Sequence, residues 1–252
     1  MSTGVQTQVG RVVWHELMST DVEKAKSFYT ELLGWEINVW KPGEFDYSMI
    51  HQNGADHGGF FALEESGVPS HWIAHVQVED LDATIARAEK LGGKVLMGPL
   101  EVPEVGRFAA LRDPQGGVIS AYKPATEGPT AEGTFVWDEF LADDVEAAKS
   151  FYCEVFGWTT NDMDMENGIY TIFQRGGEAQ AAGLMERPAD AKAPPHWCTY
   201  LATDDVDATV AKAEKLGGTT YAGPMDVQTV GRIAVLGDPT GAVFGLFKPI
   251  AN

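Results

Sequence analysis

The chain has 252 residues, 44% of them hydrophobic and 22% charged, as expected for a globular protein of one large or two modest domains. With 18 Lys and Arg against 37 Asp and Glu, its formal charge of −19 repels phosphate backbones and anionic lipid, so neither nucleic acid nor membrane is an expected partner. No apolar run approaches a membrane span, no signal-peptide pattern opens the chain, and Cys153 and Cys198 show no CxxC spacing, so a cytoplasmic location is expected.

An alternating segment at 13–19 predicts a strand. Asp21 then caps a helix carrying Val22, Ala25, Phe28, Tyr29 and Leu32 at helical spacing, and Gly34 ends it. Three short strand-like runs follow at 35–40, 47–51 and 59–63. The order then repeats. A strand at 73–78 leads to a helix capped by Asp80, with Leu81, Ile85, Ala88 and Leu91 on one face, stopping at Gly92-Gly93. Further runs at 94–97, 107–111 and 118–122 complete a βαβββ-βαβββ pattern.

The whole pattern is written twice. VWHELMSTDVEKAKSFYTELLGW at 13–35 returns as VWDEFLADDVEAAKSFYCEVFGW at 136–158. HWIAHVQVEDLDATIARAEKLGG from His71 returns from His196, with two extra residues inserted in RPADAKAPP. The period is far longer than the roughly 20–50 residues of solenoid repeats, so this is a duplicated domain. The expected division is 1–125 and 134–252, joined by a linker at 126–133. Each half is expected to fold as its own barrel from consecutive modules.

The ordered markers Asp21…Phe28-Tyr29…Gly34-Trp35 and Asp113-Pro114-Gln115-Gly116 recur as Asp144…Phe151-Tyr152…Gly157-Trp158 and Asp238-Pro239-Thr240-Gly241. This pattern resembles the vicinal oxygen chelate superfamily (glyoxalase, bleomycin resistance protein, dioxygenase), and in particular its two-domain, glyoxalase-related branch often labelled as hydroxylases. The resemblance covers nearly the whole chain. It implies an α+β fold of four βαβββ modules forming two half-open glyoxalase-like barrels in tandem, each around a cup.

The resemblance also implies a divalent metal held by His and Glu or Gln on inward strand positions. Those positions fall on Trp14, Ile73 and Ser120 in the first half, and on Trp137, Cys198 and Gly245 in the second. Glu186 is the one carboxylate near a remaining position. Indole and isoleucine offer a metal no lone pair, so no cofactor is expected and a divalent metal is disfavoured. A nonstandard His75–Glu16 site is the alternative, available in the first half only because Tyr200 replaces His75 in the second. His15 is expected to face away from the cup, and His71 and His196 to make structural hydrogen bonds.

Strand alternation puts Trp14 and Glu16 on the cup side of the first strand, and Trp137 and Glu139 likewise in the repeat. Tyr47 and Tyr170 match in later strands. Trp72 and Trp197 also enter the candidate set, although alternation alone turns them away from the cup. The ligand-binding candidates are therefore Trp14, Tyr47, Trp72, His75, Arg107, Ser120, Trp137, Tyr170, Trp197 and Arg232, with Glu16 and Glu139 as catalytic candidates. Arg107 and Arg232 each follow Val-Gly, and salt bridges to Glu16 and Glu139 are expected for them. With such bridges the glutamates are structural; without them they are general bases beside a carbonyl.

Three functions compete. One is a metal-independent protein binding a small carbonyl or aromatic compound, with or without proton-transfer activity. The others are a metal-dependent lyase, isomerase or dioxygenase, and a resistance protein that sequesters an antibiotic. A monomer or homodimer is expected.

Overall fold

The computed structural model describes residues 8–41, 46–64, 67–127, 133–165 and 168–250. Much of the expected linker, residues 128–132, lies outside that set. The first half contains β1 (Val12–Ser19), α1 (Val22–Leu33), β2 (Glu36–Trp40), β3 (Tyr47–Gln52) and β4 (Ala55–Ala62). It continues with β5 (His71–Gln77), α2 (Leu81–Lys90), β6 (Lys94–Val102), β7 (Gly106–Arg112) and β8 (Val118–Pro124). The second half repeats the order: β9 (Phe135–Ala142), α3 (Val145–Phe156), β10 (Thr159–Met165), β11 (Gly168–Arg175) and β12 (Ala179–Glu186). Its last module holds β13 (His196–Ala202), α4 (Val206–Lys215), β14 (Thr219–Val227), β15 (Gly231–Gly237) and β16 (Val243–Pro249).

The helices begin where an aspartate can satisfy free backbone donors. Asp21, Asp80, Asp144 and Asp205 each accept the N–H of the residue three positions on, at 2.9–3.0 Å. Gly34 and Gly157 end α1 and α3 in the left-handed region, at φ 71° and 69°, where a side chain would be strained. The strand β6 runs past the expected stop at Gly98-Pro99. Being at the sheet edge, it tolerates a residue without an N–H, and its register shifts between Met97 and Leu100 take up the irregularity.

Each half supplies one eight-stranded sheet, ordered β2-β3-β4-β1-β5-β8-β7-β6 in the first and β10-β11-β12-β9-β13-β16-β15-β14 in the second. The fold is α+β with tandem duplicated modules, as the resemblance implies. Parallel pairs, β1 with β4 and β5 with β8, alternate with antiparallel hairpins.

The packed cores follow a different division. One compact unit comprises residues 1–13, 74–130 and 138–197; the other comprises 14–73, 131–137 and 198–252. In the first unit Leu81, Ala88, Leu111 and Ile119 pack with Phe140, Phe151, Tyr152 and Trp197. In the second, Leu17, Tyr29, Trp35 and Trp72 pack with Leu201, Leu236, Phe244 and Leu246. The expectation that each half closes its own core is therefore corrected. Each helix packs on strands of its own half and against a helix of the other, α2 against α3 and α1 against α4.

Candidate functional site

Alternation along β1 sorts its side chains as the sequence predicts. Leu17 is fully buried in the core, and His15 is buried and stacked on Phe135, with ring centroids 4.0 Å apart and planes within 7°. Trp14 and Glu16 therefore share the opposite face. There the Trp14 indole Nε1–H donates to the Tyr47 hydroxyl at 3.1 Å, and the hydroxyl donates in turn to the Glu16 carboxylate.

The backbone makes room for this chain. Glu16 stands opposite Gly59 in the β1–β4 register, and a Cβ at Gly59 would lie 2.1 Å from the Tyr47 hydroxyl oxygen. The tyrosine ring thus lies on bare backbone beside the carboxylate. Trp40 meets the Tyr47 ring edge-on at 6.4 Å. Glu16 is only partly covered as a residue, yet one carboxylate oxygen is shut off from solvent. Burial lifts its pKa to about 7, and the bond from Tyr47 opposes that rise. Burial, and next the charge on Glu16, push the Tyr47 hydroxyl well above its ordinary value.

In the repeat, Glu139 is buried and stands opposite Gly183, the counterpart of Gly59. Tyr170 and Trp137 are half-buried at the matching positions of β11 and β9. On β5, His75 is buried, pairs in register with Ser120 on β8, and meets Phe108 edge-on at 5.7 Å. The corresponding pair of the second half is Tyr200 and Gly245, and there the tyrosine ring lies across the glycine, 2.2 Å from where a Cβ would stand. The two halves thus differ at one address: imidazole and hydroxyl in the first, a phenol covering backbone in the second.

Four of the expected site residues lie elsewhere. Trp72 and Trp197 are core residues, on the side to which strand alternation alone turns them. Their indole N–H groups donate to the Tyr29 and Tyr152 hydroxyls at 3.1 and 2.9 Å. Arg107 forks onto Asp82 in the first turn of α2, at 2.9 and 3.0 Å, and not onto Glu16. Arg232 binds Asp207 and Asp226, at 2.8 Å to each, and not Glu139. These exposed pairs hold the Asp82 and Asp207 carboxyls below their ordinary range. Arg107 and Arg232 do not bridge Glu16 and Glu139 because both stand second in strands beside a helix N-terminus that already offers an aspartate.

Reading the residues alone puts no weight on Gly59, Asp82 or Asp207. A signal for the first existed, since glycine recurs opposite Glu16 and Glu139 alike. His71 and His196 use Nδ1 on the carbonyls of Pro69 and Pro194, the structural bonds expected of them. Burial, eased by Lys149, lifts the Cys153 thiol, as suits an inert packing role.

The family model for the glyoxalase/bleomycin resistance protein/dioxygenase superfamily matches residues 9–120 and again 135–246. The chain belongs to that superfamily. CFP32 of Mycobacterium bovis, provisionally named a glyoxylase, is 36% identical over 245 residues, 94% of each chain. The anthracycline biosynthesis protein DnrV of Streptomyces peucetius is 32% identical over 95% of this chain and 93% of its own. Among solved structures, the Mn(II)-bound glyoxalase from Novosphingobium aromaticivorans superposes with a TM-score of 0.63 at 16% identity, covering 96% of this chain and 84% of that one. The 2,3-dioxygenase LapB of Pseudomonas sp. KL28 gives 0.64 at 15%, covering 98% and 94%. At such identities these two establish the fold of the superfamily member and nothing about its chemistry.

The residues present do not fit a metal of the glyoxalase kind. Trp14 turns its one polar hydrogen toward Tyr47 and has no lone pair to give, Ile73 is a buried hydrocarbon, and Ser120 supplies a single hydroxyl. Glu186 is exposed at the end of β12. No group of three or more His, Cys, Asp or Glu among the described residues is placed to hold a metal ion. No helix among them is long and apolar enough to cross a membrane.

Proposed function

We propose that this superfamily member binds a small carbonyl or aromatic compound and moves a proton with Glu16, without the metal used by better-known relatives. The observation that carries the reading is the Trp14–Tyr47–Glu16 chain, which occupies the strand face that the family pattern gives to a first metal ligand. A carboxyl with a pKa of about 7 is divided between acid and base at neutral pH, the condition under which one group can both take and return a proton. With Arg107 held by Asp82, no bridge from that guanidinium locks Glu16 as a structural anion.

In this reading Glu16 removes a proton from the carbon beside a substrate carbonyl. The C–H electron pair becomes the carbon–carbon π bond as the carbonyl π pair moves onto oxygen, giving an enolate, and a proton returns to carbon from the same carboxyl after exchange with solvent. Trp14 and Tyr47 supply an aromatic wall for a flat ligand. The relative named for anthracycline biosynthesis favours an aromatic carbonyl compound over a small aliphatic one. We place the protein in the cytoplasm, as a monomer or homodimer. Antibiotic sequestration draws support only from the acidic surface and is the weaker reading.

The test combines metal analysis of protein purified without chelator with deuterium exchange from solvent into a panel of aryl ketones, followed by NMR. Catalysed exchange without stoichiometric metal, and lost in Glu16→Gln, is expected. Zinc, nickel, manganese or iron retained one per chain after dialysis, and needed for exchange, sinks the proposal.

A further inference from the structure

A tryptophan Nε1–H is a donor only, so the Tyr47 oxygen it meets at 3.1 Å must act as acceptor toward it. The hydroxyl keeps one proton of its own, and the remaining partner is the Glu16 carboxylate. Three strands build this arrangement: β1 gives Trp14 and Glu16, β3 gives Tyr47, and β4 gives the bare backbone of Gly59 beneath the ring. We infer that Trp14 and Gly59 are positioning residues for Glu16: the indole aims the Tyr47 hydroxyl proton at the carboxylate, and the missing side chain at Gly59 leaves the hydroxyl room to lie there. The inference deepens the functional reading, and its catalytic meaning rests on it, but the hydrogen-bond chain exists without substrate and is tested without one.

The geometry fixes what each substitution does. Trp14→Phe keeps an aromatic ring and deletes the donor, so the Tyr47 hydroxyl becomes free to turn and accept from a protonated Glu16. Gly59→Ala places a methyl where the hydroxyl oxygen now sits. The atom in the way is the far end of a side chain, so Tyr47 swings off and the backbone stays. Tyr47→Phe removes the hydroxyl outright. Gly59→Ala and Tyr47→Phe withdraw a donor from the ionised carboxylate, Trp14→Phe lets that hydroxyl accept from the protonated one, and all three favour the protonated form.

The experiment is a pH titration of the full chain labelled with carboxyl-13C glutamate, the Glu16 signal being assigned by its loss in Glu16→Gln. A wild-type midpoint near 7 is expected. Tyr47→Phe should raise it by about one unit, and Trp14→Phe and Gly59→Ala should raise it by part of that amount. The double variant Gly59→Ala, Tyr47→Phe should titrate as Tyr47→Phe alone, since both act on one hydroxyl. A midpoint unmoved by Trp14→Phe, or additive shifts in the double variant, overturns the inference. Should Trp14→Phe fail to fold, the wild-type indole N–H resonance replaces it: Tyr47→Phe must move that resonance, and a stationary one overturns the claim. Ketone exchange that is absent while these shifts occur removes the functional reading and leaves the positioning roles intact.

Discussion

The Tyr152 hydroxyl donates to Asp113 Oδ2 at 2.6 Å, joining the Phe-Tyr pair of one half to the Asp-Pro-x-Gly turn of the other. Asp113 Oδ1 meanwhile accepts the N–H groups of Gln115, Gly116 and Gly117 at 2.7–2.8 Å, so one carboxylate closes the turn and receives the helix. The two markers by which the superfamily is recognised thus meet in space. Tyr29 is bonded to Asp238 in the same way. Both tyrosines also accept from a tryptophan. Tyr152→Phe and Tyr29→Phe should each cost about 1–3 kcal/mol, read from the shift of the urea unfolding midpoint multiplied by the slope.

Residues 1–128 expressed alone should not melt cooperatively. Leu81, Ala88, Tyr29 and Phe28 would lose the partners that bury them, since each core takes residues from both halves. A collapsed product that binds a hydrophobic dye and lacks near-UV circular dichroism is expected, and mixing it with residues 129–252 should restore a sharp transition. A sharp, reversible melt of the fragment alone would show that one half closes its own core.

Stability should fall as pH rises toward neutrality because of Glu16. Its folded pKa of about 7 exceeds the ordinary 4.5, so between these values the unfolded chain ionises while the folded one holds its proton. The folded state then binds more protons, and unfolding gains ground with rising pH. The full effect is on the order of 3 kcal/mol, absent below pH about 4.5 and complete above about 7. Chemical denaturation of wild type and Glu16→Gln at pH 5 and pH 8 isolates it. The variant should lack this part of the slope and gain relative stability at pH 8.

Arg107→Ala should leave the Glu16 midpoint where it is. Its guanidinium is spent on an exposed aspartate of α2, where solvent screens the pair. The same titration used for Tyr47→Phe checks this, and a clear upward shift would mean that the arginine reaches the carboxylate after all.

Helices, caps and the inward phase of β1 were legible in the sequence, because Asp caps, terminal glycines and two-residue alternation are local chemistry. Trp14, Glu16 and Tyr47 came out together for that reason. The partners of Arg107 and Arg232 did not, since a residue near a strand's start can reach any neighbour and sequence spacing carries no direction for a long side chain. Trp72 and Trp197 went astray by discounting the alternation that correctly placed Glu16. The crossing of cores between halves was hidden by the duplication itself: two nearly identical copies of an apolar helix face are equally good partners for either helix.

That exchange of packing partners carries a consequence for how the repeat can change. A lone half would lose the opposite helix that packs on each of its own, and two identical chains could supply that packing to each other as the two halves do now. Joining them end to end removes the need to find a mate but keeps the interlocking. Substitutions on helix faces in either copy must still satisfy the opposite copy, whereas strand faces such as those bearing His75 with Ser120, or Tyr200 with Gly245, are released from that tie. Divergence is therefore steered onto the strands, and one copy can lose a polar pair without loosening the scaffold that its sibling depends on.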